Sequence, residues 1–413
     1  MKKKFLLILI ALVLCTASIF GIYRGIQNNR AANFTFSIPE DAKYVLVNSS
    51  GRDSKEISIV HYLDQDGKLI EQRTLDKITC LSCIEQDPVT QERNFFTHEA
   101  IYFEDGSVLP NEEMENLYHF SSDHGLDAVY YSGYVEQLGL FCKLIPHGLA
   151  YKISEYGSFD LLVLYNKEHL YNLRIRPNGC IAVDQETGVI YNFNVATENH
   201  ILCDKIVFDV ESGNSTQTEA VLSLEEFFSK NPEIESLGYV SKPLILGSSI
   251  YLLADFEMER EEENLNSVGK IPHFYLLEFQ LDRTADKMAY IDAYPLDFEE
   301  GYLGNSTPTT YTDGTISYYS TIMPSMILTF DTDTKEINSH PFLDSTTDPY
   351  SDPFLVYVGK KDVYLFRMDP EQEQYSIYKV LPDFTFEHIV DGDLPSPHTM
   401  TTTWISNFYV IEK

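Results

Sequence analysis

Residues 181–190 read Ile181-Ala182-Val183-Asp184-Gln185-Glu186-Thr187-Gly188-Val189-Ile190. The run holds two short segments rich in β-branched residues, joined by a turn that starts with aspartate and ends with glycine. β-branched residues favour strands. An aspartate side chain can cap its own turn, and glycine supplies the positive φ that a tight turn needs. The stretch therefore predicts a β-hairpin.

Hairpins of the same kind recur along the chain, each with an apolar strand, an aspartate and then a turn. They occupy residues 207–213 and 328–335 and, more loosely, residues 277–284 and 61–67. Other turn signals are Asp66-Gly67, Asp105-Gly106, Asn178-Gly179, Asp313-Gly314 and Asp391-Gly392. Short β-type runs and 28 tyrosines with 25 phenylalanines complete the pattern. Because aromatic residues pack well on pleated sheets, the sequence predicts an all-β fold.

These hairpins resemble the blade hairpins of β-propeller repeat proteins. The likeness is closest to the pyrroloquinoline-quinone-type repeat, in which a strand ends in Asp-x-x-Thr-Gly-Lys, and residues 184–190 match it best. Blades of that type usually carry a docking tryptophan after the glycine, whereas this chain has a single tryptophan, Trp404. The resemblance implies a propeller of about seven blades; it implies no quinone, and we predict no cofactor.

The spacing of the hairpins gives the predicted blade length. Asp184 and Asp282 are 98 residues apart, Asp282 and Asp331 are 49 apart, and Asp331 and Asp383 are 52 apart. A four-stranded blade takes about 40–50 residues. Asp209 does not fit this spacing of the aspartates. Either its turn is a second turn within a blade, or the regular spacing is partly coincidental. The alternative fold is a series of β-sandwich domains, but no clear linker follows residue 40.

The two ends of the predicted domain are both β-type. Residues 401–411 stay β-type almost to the last residue, and residues 44–47 begin the domain in the same way. An open ring would expose two sheet edges. We therefore expect residues 44–60 and 400–411 to share one blade or adjacent strands.

Helix is predicted in only two places. Residues 223–229 begin as a capping box, with Ser223 as the N-cap and Glu226 reaching back to it. A second short turn of helix is predicted for residues 111–117. Neither is long enough for the crossover of a parallel sheet.

The N-terminus predicts a membrane anchor. Residues 1–4 include three lysines, residues 5–23 are uninterrupted apolar sequence, residues 24–40 form a polar tether, and residues 41–413 form the propeller domain. Nineteen apolar residues nearly match the ~20 that span a bilayer as a helix. Positive charge before the span keeps the N-terminus cytoplasmic. We expect a single-pass signal anchor in a bacterial cell membrane, with the C-terminal domain outside the cytoplasm.

Two alternatives for the leader remain open. The leader is cleaved as a signal peptide if small residues near position 18 form a cut site. It is lipidated if Cys15 is processed, although a small residue normally precedes a lipidated cysteine and Leu14 stands there. All three readings place the bulk of the chain outside the cytoplasm.

Charge excludes one class of partner. The chain has 63 acidic residues against 30 lysines and arginines, a net charge of −33. Such a surface repels nucleic-acid phosphates. We therefore expect no nucleic-acid partner, and contact with a membrane through the N-terminal helix alone.

Motifs for catalysis or metal binding are sparse. Cys80-Leu81-Ser82-Cys83 has the spacing of thiol oxidoreductases, but it lacks their strand–helix context, and we do not expect a redox pair. The nearest histidine clusters are His98-Glu99 and His119 with His124, too few for zinc. Residues 331–333 alternate carboxylates as calcium loops do, yet lack the bidentate glutamate, so a plain turn is predicted. We predict no metal site and assign no catalytic residue.

One group of residues suggests a ligand. Tyrosines and aspartates cluster in the second half of the chain, at Tyr302, Tyr311, Tyr318, Tyr319, Tyr350, Asp297, Asp313, Asp344, Asp348 and Asp352. Tyrosine faces beside carboxylates suit sugar rings, and two carboxylates can hydrolyse a glycosidic bond. We expect a non-enzymatic binding or scaffold module for a protein or cell-envelope ligand. The alternative is a carbohydrate-binding or glycosidase-like propeller.

Overall fold

A computed structural model gives the fold. It describes residues 34–49, 58–75, 83–97, 100–113, 131–145, 159–197, 199–258, 271–285, 287–296, 308–320, 326–342, 354–369, 372–395 and 405–412. The predicted anchor, residues 5–23, lies outside the described residues. Its prediction is therefore untested, as is the boundary at residue 40.

Seven four-stranded antiparallel sheets form a β-propeller. Blade 1 holds β28 (Ile405–Val410), β1 (Tyr44–Ser49), β2 (Ser58–Leu63) and β3 (Leu69–Leu75). Blade 2 holds β4 (Cys83–Gln86), β5 (Arg93–Phe96), β6 (Ala100–Phe103) and β7 (Val108–Pro110). Blade 3 holds β8 (Tyr131–Val135), β9 (Leu140–Ile145), β10 (Asp160–Tyr165) and β11 (Leu170–Ile175). Blade 4 holds β12 (Cys180–Asp184), β13 (Val189–Thr197), β14 (His200–Asp209) and β15 (Asn214–Ser223).

The remaining three blades follow in chain order. Blade 5 holds β16 (Ile234–Leu246), β17 (Ser249–Met258), β18 (Ile271–Asp282) and β19 (Lys287–Pro295). Blade 6 holds β20 (Thr309–Thr312), β21 (Thr315–Ser320), β22 (Met326–Asp331) and β23 (Ile337–Pro341). Blade 7 holds β24 (Phe354–Val358), β25 (Val363–Asp369), β26 (Gln374–Val380) and β27 (Phe386–Asp393). The predicted propeller of about seven blades is confirmed, and serial sandwiches are not the fold.

Blade 1 closes the ring with both ends of the domain. The C-terminal strand β28 pairs antiparallel with β1, so that Tyr44 lies opposite Val410 and Leu46 opposite Phe408. The predicted pairing of the chain ends is confirmed. In each blade the strand written first above lies innermost, and the innermost strands of blades 4 and 5 contact each other directly.

One end of the ring, which we call the turn end, carries two turns from most blades: the first-to-second-strand turn and the third-to-fourth-strand turn. Both turns lie at the same end because successive strands of a blade run in opposite directions. In all seven blades the third-to-fourth-strand turn has an Asp or Asn side chain that accepts a backbone N–H two residues ahead. These residues are Asp64, Asp105, Asn166, Asp209, Asp282, Asp331 and Asp383. The predicted capped turn is therefore the repeating unit of the ring.

The predicted period mixed two kinds of turn. Asp184 lies in the first-to-second-strand turn of blade 4, whereas Asp209 and Asp282 lie in third-to-fourth-strand turns. Asp209 therefore belongs to the repeating series of third-to-fourth-strand turns, whereas Asp184 does not. The 98-residue spacing between Asp184 and Asp282 is a coincidence. The interval from Asp209 to Asp282 is long because blade 5 has strands of up to 13 residues and a helix precedes it.

The helix α1 spans Glu225–Lys230 and buries Phe227. It confirms the predicted helix but not the full capping box, because Ser223 Oγ accepts only the Glu225 N–H, at 3.3 Å, and the helix has no side-chain cap bond. Most of the second predicted helix lies outside the described residues. Within the described ranges, no helix is long and apolar enough to span a bilayer.

Two polar side chains are buried between blades 7 and 1. His61 lies opposite Leu46, and Leu46 belongs to the core cluster that also contains Phe366 of blade 7. Asn48 is two residues from Leu46 and therefore shares its face. Both side chains are 0% exposed, and within the described part of the chain neither the imidazole nor the amide has a hydrogen-bond partner. Burial lowers the pKa of His61 to about 4.

The His61 imidazole should make stability fall in mild acid. Its folded pKa lies below the unfolded value, so its neutral form contributes stability above about pH 6.5, and that stability is lost as pH falls toward 4. The expected loss between pH 7.5 and pH 5 is about 2 kcal/mol from this group. We expect His61→Leu to reduce the pH dependence of the free energy of unfolding by that amount, measured by urea denaturation at both pH values. His169→Leu, at an exposed histidine, is the control. An equal pH dependence in wild type and His61→Leu would contradict the assignment.

Candidate functional site

A cleft of about 570 Å³ opens at the turn end between blades 4, 5 and 6. We call it the turn-end cleft. Its lining residues come from the turns of those three blades and from the strands beside them: Asp184, Gln185, Glu186, Ile245, Leu246, Gly247, Ser249, Tyr251, Glu278, Arg283, Tyr311, Thr332, Asp333 and Lys335. Most of these side chains are polar, as suits a hydrated ligand.

Asp184 and Arg283 form one wall. The Arg283 guanidinium donates to both carboxylate oxygens of Asp184, at 2.7 and 2.9 Å, and to the Gly247 carbonyl at 2.7 Å. Thr187 also donates to Asp184, at 2.8 Å. Burial alone would raise the pKa of Asp184, but the bonds from Arg283 and Thr187 outweigh it and lower that pKa. This wall therefore carries a fixed, ionised carboxylate.

Glu278 anchors the other wall. Its carboxylate accepts hydrogen bonds from Tyr251 at 3.1 Å, from Tyr294 at 2.7 Å and from the Lys335 ammonium at 2.9 Å. Burial opposes ionisation of Glu278, yet these donors together lower its pKa. Lys335 Nζ also lies 5.5–5.7 Å from the ring centres of Tyr251, Tyr294 and Phe330. Glu278 is therefore ionised, and its carboxylate is held by hydrogen bonds from these three side chains.

The same kind of ion pair, between a basic residue in a third-to-fourth-strand turn and an acidic residue of the preceding blade, occurs elsewhere in the ring. Lys167, in the third-to-fourth-strand turn of blade 3, pairs with Glu92 of blade 2 at 2.8 Å. Arg283 and Lys335 lie in the corresponding turns of blades 5 and 6 and pair with acids of the preceding blade. Both ion pairs of the cleft therefore join blades and set the shape of its walls.

Exposed side chains of the cleft can contact a ligand. Tyr311 is 46% exposed and Asp333 is exposed beside it, whereas the exposed side chains of Gln185 and Glu186 already bond to blade 3 and to Arg283. A glycosidase needs one carboxylic acid with a raised pKa next to a second carboxylate. The two buried carboxylates of the cleft have lowered pKa values. The arrangement suits binding of hydroxyl-rich groups better than their hydrolysis.

The predicted tyrosine–aspartate group is not brought together as a set. Tyr311 lines the cleft, and Asp313 lies at the tip of the adjoining turn. Tyr318 and Tyr319 are buried between blades. The other members of the group lie outside the described residues. Sequence reasoning missed Glu278, Arg283 and Lys335; the one available signal was a basic residue inside two of the repeated turns.

A second polar cluster lies on the innermost strands of blades 2 and 3 and on the second strand of blade 3. The Lys143 ammonium is 0% exposed and contacts the Glu85 carboxylate and the Ser132 hydroxyl, which in turn donates to Glu85. Burial would lower the pKa of Lys143, but its neighbours Cys83 and Glu85 raise it overall. A protonated lysine cannot take the proton of Ser132, so this cluster is a buried ion pair and not a serine–lysine catalytic pair.

The predicted cysteine and metal motifs give no site in the described part of the chain. Cys83 is a free thiol whose pKa burial raises to about 11, which opposes thiolate chemistry; Cys80 lies outside the described residues. Asp331 caps a plain turn, as predicted. His98, His119 and His124 lie outside the described residues. Among the residues that are described, no three His, Cys, Asp or Glu side chains converge as metal ligands do.

Comparison with known proteins finds similar structures only. No protein-family profile matches the sequence, and no curated protein is significantly similar to it. A variant of the apocarotenoid oxygenase of Synechocystis is 8% identical, with 91% of this chain and 94% of that chain covered and a TM-score of 0.45. A proposed 6-phosphogluconolactonase of Bacteroides uniformis is 10% identical, with 86% and 97% covered and a TM-score of 0.42. The periplasmic gluconolactonase of Pseudomonas aeruginosa is 9% identical, with 85% and 96% covered and a TM-score of 0.35.

Proposed function

We propose that this propeller is a membrane-tethered, extracytoplasmic and non-enzymatic binding module whose turn-end cleft takes a neutral glycan of the cell envelope. The observation that carries the proposal is the cleft itself: an exposed tyrosine among polar groups, with both buried carboxylates held ionised in blade-to-blade ion pairs. Net charge of −33 disfavours anionic polymers. The tether rests on the apolar sequence of residues 5–23.

Tyr311 should supply the stacking face for a sugar ring. We expect the full-length protein to bind at least one neutral hexasaccharide in a panel of linear glucose, mannose and N-acetylglucosamine oligomers, measured by isothermal titration calorimetry. Tyr311→Ala should weaken that binding about tenfold, equivalent to about 1.4 kcal/mol, and Tyr311→Phe should keep it because the ring face remains.

Tyr378→Ala provides the matched control, since Tyr378 is a partly exposed tyrosine of blade 7 and does not line the cleft. Failure of every hexasaccharide to bind, or equal affinity of wild type and Tyr311→Ala, would refute the proposal. Release of new reducing ends during incubation would instead indicate the alternative, a glycan-cleaving enzyme.

A further inference from the structure

Asp333 differs from the other acidic residues of the turn-end cleft. Asp184 and Glu278 are held in blade-to-blade ion pairs. The Glu186 carboxylate lies 3.3 Å from the Arg283 guanidinium. Asp333 is exposed, and within the described ranges no group donates a hydrogen bond to its carboxylate or forms an ion pair with it. Of the carboxylates that line the cleft, the one on Asp333 is therefore available to a ligand.

The turn that carries Asp333 is fixed in place by hydrogen bonds. The Asp331 carboxylate accepts the backbone N–H groups of Asp333 and Thr334, at 2.9 and 2.8 Å. The backbone N–H and the hydroxyl of Thr332 both donate to the Gly314 carbonyl, each at 2.8 Å. These bonds join the third-to-fourth-strand turn of blade 6 to its first-to-second-strand turn. The backbone at Asp333 therefore has a defined position before a ligand binds.

Tyr311 lies on the strand that leads into these joined turns. It belongs to β20, which ends at Thr312, and Gly314 follows two residues later. A side-chain carbon placed on Gly314 would lie 3.9 Å from Asp333 Oδ2. Tyr311 and the Asp333 carboxylate therefore border the same part of the cleft, and blade 6 carries both of them.

An aromatic face beside a carboxylate can recognise a particular arrangement of groups on a sugar. An ionised carboxylate accepts hydrogen bonds and donates none, so its partner on the ligand must be a donor. Its two oxygens can accept from two donors at once. A sugar ring stacked on Tyr311 presents its hydroxyls around the rim of the ring, and hydroxyls on adjacent carbons have the spacing of the two carboxylate oxygens.

We propose that the turn-end cleft selects sugars with two free hydroxyls on adjacent ring carbons, and that Asp333 accepts a hydrogen bond from each. This inference rests on the proposed function and narrows its ligand class. In chains linked through carbons one and four, glucose and mannose units keep free hydroxyls on their second and third carbons. N-acetylglucosamine units carry an acetamido group on the second carbon instead. Glucose or mannose chains are therefore the expected ligands.

The test measures affinity of the full-length protein for three hexamers of glucose, mannose and N-acetylglucosamine, all linked in this way, by isothermal titration calorimetry. We expect the glucose or mannose hexamer to bind at least about tenfold more tightly than the N-acetylglucosamine hexamer. Asp333→Asn should weaken binding of the preferred hexamer about tenfold, because an amide has one acceptor oxygen where a carboxylate has two. Asp313→Asn is the matched control: Asp313 is exposed in the adjoining turn and does not line the cleft, so its loss of charge should leave the affinity unchanged.

Deletion of a hydroxyl links the residue to the sugar. The methyl glycoside of the preferred sugar and its form without the third-carbon hydroxyl are compared as competitors of the bound hexamer. The deletion should weaken competition about tenfold with the wild-type protein and should have little effect with Asp333→Ala, because the hydroxyl and the carboxylate act as a pair.

The outcomes distinguish this inference from the proposed function. A hexamer that binds, loses affinity in Tyr311→Ala and binds Asp333→Asn as tightly as wild type would overturn the inference alone. Equal effects of the hydroxyl deletion in wild type and Asp333→Ala, or preference for the N-acetylglucosamine hexamer, would do the same. Failure of all three hexamers to bind would overturn the inference together with the function on which it rests.

Discussion

Glu85→Gln should lower the free energy of unfolding by about 3–5 kcal/mol, which is the usual cost of removing one partner from a buried ion pair. The reason lies with Lys143. Its side chain is 0% exposed, and the Glu85 carboxylate is the charged group in contact with its ammonium. A glutamine in that place leaves a positive charge in a low-dielectric core, where it must remain unpaired or lose its proton. Guanidinium chloride denaturation at pH 7 measures the change.

Two variants make this prediction specific. Glu226→Gln removes a pair in which both side chains are more than half exposed, and its expected effect is below about 1 kcal/mol. The double variant Glu85→Gln/Lys143→Met removes both charges and should recover most of the loss, since apolar replacement of a buried pair is often neutral or stabilising. If Glu85→Gln costs no more than Glu226→Gln, or if the double variant is as unstable as the single one, the ion pair does not carry this energy.

The fold was predictable because its repeating unit is local. A capped turn needs an aspartate and the next few residues, so Asp209, Asp282 and Asp331 show it in the sequence without any knowledge of distant contacts. It was harder to predict which of the capped turns occupy the same position in successive blades. Asp184 makes a similar capped turn between a different pair of strands, and no local feature distinguishes the two positions.

The cleft was not predictable in the same way, because its contacts join different blades. Arg283 and Asp184 are 99 residues apart, and Lys335 and Glu278 are 57 apart. Their meeting depends on the stacking of neighbouring blades and leaves no spacing to recognise in one sequence. The predicted group contained both Tyr311 and Tyr318, because tyrosines close to turn sequences suggested a binding surface. Tyr311 is exposed, whereas Tyr318 is buried. Composition suggests a class of ligand, and blade geometry decides which side chains reach it.

Deletion of residues 402–413 should abolish cooperative folding of the whole domain. The deletion removes β28, which supplies the innermost strand of blade 1 and pairs with β1 along Tyr44–Asn48. Phe408 and Val410 pack toward blade 7, and Tyr409 and Ile411 pack toward blade 2. Burial of each large apolar side chain is worth about 1.5–3 kcal/mol, so the combined loss is comparable to the 5–15 kcal/mol by which whole domains are stable. The expected result is no melting transition by circular dichroism and an insoluble product.

The closing role of β28 can be separated from a mere loss of apolar surface. A triple variant of the full-length chain, Ser107→Ala/Thr284→Ala/Thr385→Ala, alters exposed turns in three other blades and should keep a cooperative transition, since each turn keeps its main-chain hydrogen bonds. A synthetic peptide of residues 402–413, added to the truncated chain during refolding, should restore the melting transition, because it can pair with β1 and cover the sheet edge that the deletion exposes. Restoration that depends on peptide concentration identifies strand pairing as the missing interaction. A truncated chain that stays soluble with the full-length Tm would show that blade 1 holds together on three strands and that the C-terminal strand does not close the ring.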